Sequence, residues 1–208
     1  MIRTNVIKRR YRGIAWPLRI ALILMVAAPL LRVEAVDPFR LDPAVLEKAE
    51  KVYGRAARQR LLNWQKLVRE DRSTSDREKL EKVNDFFNQV AFIDDVLLWK
   101  EEDYWATPVE FLVQNGGDCE DFSIAKYFTL KKMGIAEDKL NLTYVKALAL
   151  NQAHMVVTYY ATADAEPLVL DNLNPKILAA SERRDLMPVF SFNGSGLWLA
   201  KERLRGRK

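Results

Sequence analysis

The spacing of apolar residues along this 208-residue chain changes period once, near residue 140, and that change restricts the fold more than any other feature. Before it, Leu46, Ala49, Val52, Ala57, Leu61, Trp64 and Val68 recur at helical spacing, and Leu80, Val83, Phe86, Phe87, Val90 and Ala91 do so again beyond the polar run 71–76. This predicts a mostly helical segment over Val36–Glu70, opened by Asp42 and Pro43, and a further helix over the second stripe. A short helix is expected from Pro108 through Val113. Another opens at Cys119 behind the tight turn Gln114-Asn-Gly-Gly-Asp118, with Asp118 as N-cap and Gly134 as its stop. After the change, Leu142–Leu148, His154–Tyr160 and Pro167–Asp171 are short and rich in β-branched and aromatic residues, which predicts three strands. The stretch Asn172–Leu199 is expected to hold loops, a short helix and one more strand.

Charge divides the chain as sharply as periodicity does. The formal net charge is +5, but residues 1–35 carry +6 and the last eight residues +4, so the body from Val36 to Ala200 is acidic, at −5. A basic nucleic-acid groove is excluded on that distribution. The basic leader runs into twelve uncharged residues, Ile20–Leu31, and then Val33-Glu34-Ala35, the order of a secretory signal peptide. A membrane span needs about 20 apolar residues, and Arg19 and Arg32 bracket a shorter run. Residues 1–35 are therefore assigned to export and 36–208 to the folded domain, a leader retained as an anchor being the alternative.

An exported domain with one cysteine, Cys119, makes no internal disulfide, and about 170 residues bury enough apolar surface without one. A lone thiol at a helix start, where unpaired N–H groups favour the thiolate, is the place for a nucleophile. Its base has one candidate, His154, the only histidine. If His154–Tyr160 and Ala165–Asp171 pair as an antiparallel hairpin around Ala161–Asp164, His154 stands directly opposite Asp171 on the same face. A cysteine on a helix with a histidine and an aspartate on neighbouring strands is the arrangement of a catalytic triad.

The segments Gly116-Gly-Asp-Cys-Glu-Asp121, Asn151-Gln-Ala-His-Met-Val156, Leu170-Asp-Asn-Leu-Asn-Pro175 and Asp103-Tyr-Trp-Ala-Thr-Pro108 together resemble the bacterial transglutaminase-like cysteine proteases, of the periplasmic LapG type. The resemblance implies an α+β, papain-like, transglutaminase-core fold, with N-terminal helices and the catalytic cysteine's helix packed on an antiparallel sheet. It implies Cys119 as nucleophile, His154 as base and acid, and Asp171 as orienting carboxylate. It further implies calcium dependence, cleavage near the N-terminus of a large surface adhesin with biofilm dispersal as the result, and inhibition by the periplasmic domain of an inner-membrane cyclic di-GMP receptor.

Asp118, Glu120 and Asp121 surround the cysteine with negative charge, which alone would raise the thiol pKa. Calcium favours several oxygen ligands, and Glu101, Glu102 and Asp103 supply a second acidic cluster. By the resemblance Asp118 and Glu120 are the metal ligands, with Asp103 added here as a third. The plainer alternative is that Asp118 caps the helix and Glu120 is a first-turn acid. Two other functions use the same residues: acyl transfer to an amine in place of water, and silent partner binding in the groove.

Overall fold

A computed structural model of the chain describes residues 39–70 and 74–199. The leader over 1–35, the domain start at residue 36 and the basic C-terminal end lie outside them. Asp42 accepts the Ala44 N–H at 2.8 Å, and Pro43 takes the first helical position of α1 (Pro43–Tyr53). Gly54, at φ +84°, ends that helix, and α2 (Arg55–Glu70) restarts at once. The continuous apolar stripe thus belongs to two helices, broken where glycine takes a positive φ without steric cost. Ser75 and Glu78 form a reciprocal capping box that opens α3 (Asp76–Phe87). The helical period continues on paper to Ala91, but Ala91–Phe92 instead forms a two-residue strand, β1.

Next come α4 (Asp95–Leu98), α5 (Pro108–Gln114), β2 (Gly116–Gly117) and α6 (Cys119–Lys132). Helix α6 is the centre of the molecule. Phe122, Ala125 and Leu130 are fully or nearly buried on it, and so are the polar Asp121, Lys126 and Thr129. A helix with so little exposed face must be wrapped by other elements. On one side Trp64 Nε1 of α2 donates to Thr129 Oγ1 at 2.8 Å. Arg60 binds α2 to the end of α5, donating to the Leu112 and Val113 carbonyls at 2.6 and 2.9 Å.

On its other side α6 packs on a six-stranded sheet of β3 (Leu140–Ala147), β4 (Gln152–Tyr159), β5 (Leu168–Leu170), β6 (Leu178–Ala179), β7 (Leu186–Asn193) and β8 (Gly196–Leu199). The order is β6-β5-β4-β3-β7-β8, and every pairing is antiparallel. The three strands expected after residue 140 are present. The stretch beyond Asn172 holds three more rather than one, together with a single short 3₁₀ turn, Ala180–Glu182. Strand β7 contains Pro188, a residue that sheets admit at edges or bulges. This proline sits where the β3–β7 register breaks, between Tyr144 and Val145, a place where a sheet accommodates it. Among the described residues no helix is long and apolar enough to cross a membrane.

Candidate active site

Helix α5 ends on Asn115 in the left-handed conformation, φ +57°, and the chain turns through β2, which pairs in parallel with β1. Both glycines of β2 are held by close approach. A Cβ on Gly116 would lie 2.5 Å from Ile93 Cδ1, and one on Gly117 would strike the Asp121 carboxylate and lie 2.7 Å from Phe111 Cδ2. This turn delivers Asp118 and Cys119 to the start of α6, beside β4. Asp118 occupies the N-cap position but makes no side-chain cap hydrogen bond. The capping role expected for its side chain is therefore not filled, and its carboxylate remains available for something else.

The half-buried Cys119 thiol donates to Glu120 Oε2 at 3.0 Å. Burial pushes its pKa up strongly, the Glu120 and Asp118 charges push further, and the Met155 backbone N–H works the other way. Burial first and the acidic surroundings second thus disfavour the thiolate at this cysteine. Met155 is the residue after His154, and its carbonyl accepts from Ser123 Oγ of α6 at 3.0 Å. The α6–β4 contact at Met155 thus brings the histidine's strand to the thiol.

His154 Nε2 and Asp171 Oδ1 are 2.7 Å apart, with His154 4% and Asp171 0% exposed. The expected partnership is present, but by another register. Strand β4 stops at Tyr159 and β5 starts at Leu168, so the loop is longer than the Ala161–Asp164 turn, and Val157 pairs with Leu170. That sets Asp171 level with Val156, one diagonal step from His154. A shift of two residues keeps the same face, whereas a shift of one would have turned the carboxylate away. Burial opposes ionisation of Asp171, yet hydrogen bonds from His154, Leu173 N–H and Arg183 hold its pKa down at about 2. An ionised carboxylate only accepts, so Nε2 carries the ring proton and Nδ1 is the basic nitrogen. The thiol's own side-chain hydrogen bond goes to Glu120, not to His154.

Beside the thiol lies a cluster of carboxylates. Ligand oxygens of Asp95, Asp118 and Asp121 come within 4.8 Å of one another, as do those of Asp95, Asp103 and Glu120 and the ligand atoms of Asp118, Cys119 and Glu120. Asp95 Oδ2 accepts the Tyr104 N–H at 2.5 Å and Asp121 Oδ1 the Ala106 N–H at 2.7 Å, which ties down the loop between α4 and α5. The buried Asp95 Oδ1, Asp118 Oδ1 and Asp121 Oδ2 have no hydrogen-bond partner. Burial and the neighbouring carboxylates raise Asp95, push Asp121 up to about 7 and Asp118 up to about 9. Buried carboxylate oxygens left unpaired in a group are what a hard cation requires.

Of the three ligands expected from sequence, Glu120 falls in one grouping with Asp118 and in another with Asp103, and no single grouping holds all three. The structure adds Asp95, which sequence reasoning missed, and Asp121, which was counted as crowding charge but not as a ligand. Only the fold brings Asp95 to residue 118, and no spacing rule announces it. Glu101 and Glu102 are exposed and lie outside these groupings.

A thiol at the start of a buried helix, a carboxylate-bound histidine on the adjoining strand, and helices before an antiparallel sheet define a transglutaminase-like cysteine protease. Residues 59–185 match the model of the bacterial transglutaminase-like cysteine proteinases, and the chain belongs to that family and has its fold. Solved structures of LapG from Legionella pneumophila, one of them calcium-bound, are 49% identical to it with TM-score 0.67, over 75% of this chain and 88% of theirs. An EGTA-treated LapG gives the same identity and TM-score over 86% of its length. No curated protein matches the chain.

Proposed function

We propose that this protein is an exported, calcium-dependent cysteine endopeptidase that acts in the periplasm through Cys119, His154 and Asp171. The observation that carries the reading is the buried His154–Asp171 bond on the strand that meets the thiol. Its substrate is the N-terminal region of a large surface adhesin, whose release promotes biofilm dispersal, and the periplasmic domain of a cyclic di-GMP receptor holds it in check. The family match and the LapG likeness support a cysteine protease, and the substrate and partner are what the sequence resemblance implies. The leader sequence supports export.

His154 Nδ1 takes the thiol proton, and Sγ attacks the scissile carbonyl carbon. The Cys119 backbone N–H, at the helix start, faces the developing oxyanion. His154 returns its proton to the leaving amine, the amine departs, and a thioester remains on Cys119. Water then attacks that carbonyl with His154 as base, which frees the acid and restores the thiol. Asp171 holds the ring and its tautomer throughout.

Asp95, Asp103, Asp118, Glu120 and Asp121 would hold calcium through their carboxylate oxygens. When bound, the ion supplies positive charge that offsets the field opposing the thiolate. LapG in its calcium-bound form supports the choice of metal.

The test is incubation of an adhesin's N-terminal fragment with the purified protein, with calcium or with chelator, beside Cys119→Ala and Asp171→Asn. A new peptide end formed only by the calcium-loaded wild type is expected, with Asp171→Asn slower by about 10³- to 10⁴-fold. Product joined to an amine would show acyl transfer instead, and cleavage by Cys119→Ala would refute the thiol mechanism.

A further inference from the structure

Asp171 is held from two sides. Its Oδ1 takes His154 Nε2 at 2.7 Å and the Leu173 N–H at 3.0 Å, and its Oδ2 accepts from Arg183 Nη2 at 2.6 Å. Arg183 is 3% exposed, just past the short turn Ala180–Glu182 and ahead of β7. Its Nη2 and Nε also donate to the Asp185 carboxylate, at 2.7 and 3.0 Å. Burying a guanidinium is costly unless carboxylates meet it, and one of the two carboxylates here is the one that binds the histidine.

We propose that Arg183 is a positioning residue of the active site: by clamping Asp171 Oδ2 it fixes the plane of the carboxylate so that Oδ1 meets His154 Nε2 and Nδ1 stays the basic nitrogen. The inference rests on the triad reading given above. A carboxylate anchored through one oxygen alone turns about its Cβ–Cγ bond, and each turn weakens the bond that sets the ring's orientation. Arg183 removes that freedom. Arg183 also helps to keep Asp171 ionised, as do the His154 Nε2–H from β4 and, below about pH 7 where it is charged, the buried Lys126 of α6. Asp185 shares the guanidinium from the outer side, half exposed.

The role differs from that of a structural ion pair in one measurable way. A structural pair acts on stability, and its loss leaves the reactivity of a folded protein unchanged. A positioning residue acts through Asp171, so its effect disappears once Asp171 can no longer act.

The experiment measures the second-order rate of Cys119 alkylation by iodoacetamide between pH 5 and 9, on the full chain in saturating calcium. The proteins are wild type, Arg183→Met, Arg183→Lys, Arg184→Met, Asp171→Asn and the double variant Asp171→Asn/Arg183→Met, each checked for folding by circular dichroism. Arg183→Met is expected to react about 10- to 100-fold more slowly at pH 7, the range for loss of a group that orients a functional imidazole. Arg183→Lys, which keeps the charge but not the fork, should fall between the two. Arg184 is exposed, and Arg184→Met should overlay wild type. The double variant should match Asp171→Asn within about threefold, since coupled sites are not additive.

Wild-type reactivity in Arg183→Met, or effects that multiply in the double variant, would overturn the proposal. If Arg183→Met does not fold, Arg183→Lys carries the test, and a wild-type profile there has the same consequence. Failure of the underlying reading looks different: Asp171→Asn would then itself react like wild type.

Discussion

Asp95 shows what a single residue contributes to this site and why its role cannot be read along the chain. It is buried near the start of α4, with one oxygen spent on the Tyr104 N–H and the other unpaired among the oxygens of Asp118 and Asp121. Asp95→Asn keeps the shape and removes the charge, so it should weaken calcium binding by roughly tenfold or more in a titration of the purified protein. Glu101→Gln, on the exposed acidic stretch, should leave the affinity within about twofold, and equal losses at both positions would mean diffuse attraction rather than a built site. The proposed nucleophile and base were more legible than the proposed ligands because the sequence contains one cysteine and one histidine. Composition alone narrowed them to Cys119 and His154. Acidic residues are abundant, and which of them converge depends on the β1–β2 pairing and on the loop hung from Asp95 and Asp121, neither of which has a local signature.

At the scale of elements, α6 carries the strongest conflict with ordinary burial. Lys126 is buried on it at 1% exposure and donates to Asn84 at 2.9 Å and to Asn88 at 2.7 Å, both from α3 or its cap. These asparagines in turn donate to the carbonyls of Pro175 and Asp171, so the lysine anchors the loop that follows β5. Burial lowers the Lys126 pKa to about 7, below its usual 10.5, partly offset by Asp171. A base lowered on folding is neutral in the native state and charged in the unfolded one between those values. Stability from this group therefore rises with pH from about 7 toward 10. Thermal melts of wild type and Lys126→Met should diverge across that range by about 1 kcal/mol per pH unit, or roughly 2–4 °C. Parallel curves would mean that the ammonium stays charged inside. Elements were legible where the period was clean, as in α3 and β4. They failed where the chain breaks a pattern without changing composition: Gly54 splits one apolar stripe into α1 and α2, Pro188 sits inside a paired strand, and the loop after Tyr159 moves the hairpin register by two.

For the whole molecule, the helical half and the sheet meet at α6, and the acidic cluster lies at that junction beside the thiol. The single change in apolar period foretold this division. It did not foretell the strand order, because β7 joins the sheet by pairing with β3, far from it in sequence. An ion bound only by the folded state stabilises it by mass action, about 2.7 kcal/mol at a concentration near one hundred times Kd. Calcium should therefore raise the melting temperature by roughly 5–10 °C over chelator-treated protein, and magnesium should do far less because it resists shedding water. An unchanged melting temperature would mean that the clustered carboxylates hold no ion. The central claim is that a cation among these carboxylates converts a disfavoured thiolate into a nucleophile served by His154. The most direct measurement is the rate at which iodoacetamide modifies Cys119 at pH 7, followed by intact mass, in calcium and in EGTA. Modification at least about tenfold faster in calcium, with the gain lost in His154→Ala, is the predicted result. Equal rates in calcium and EGTA on folded protein would contradict the account.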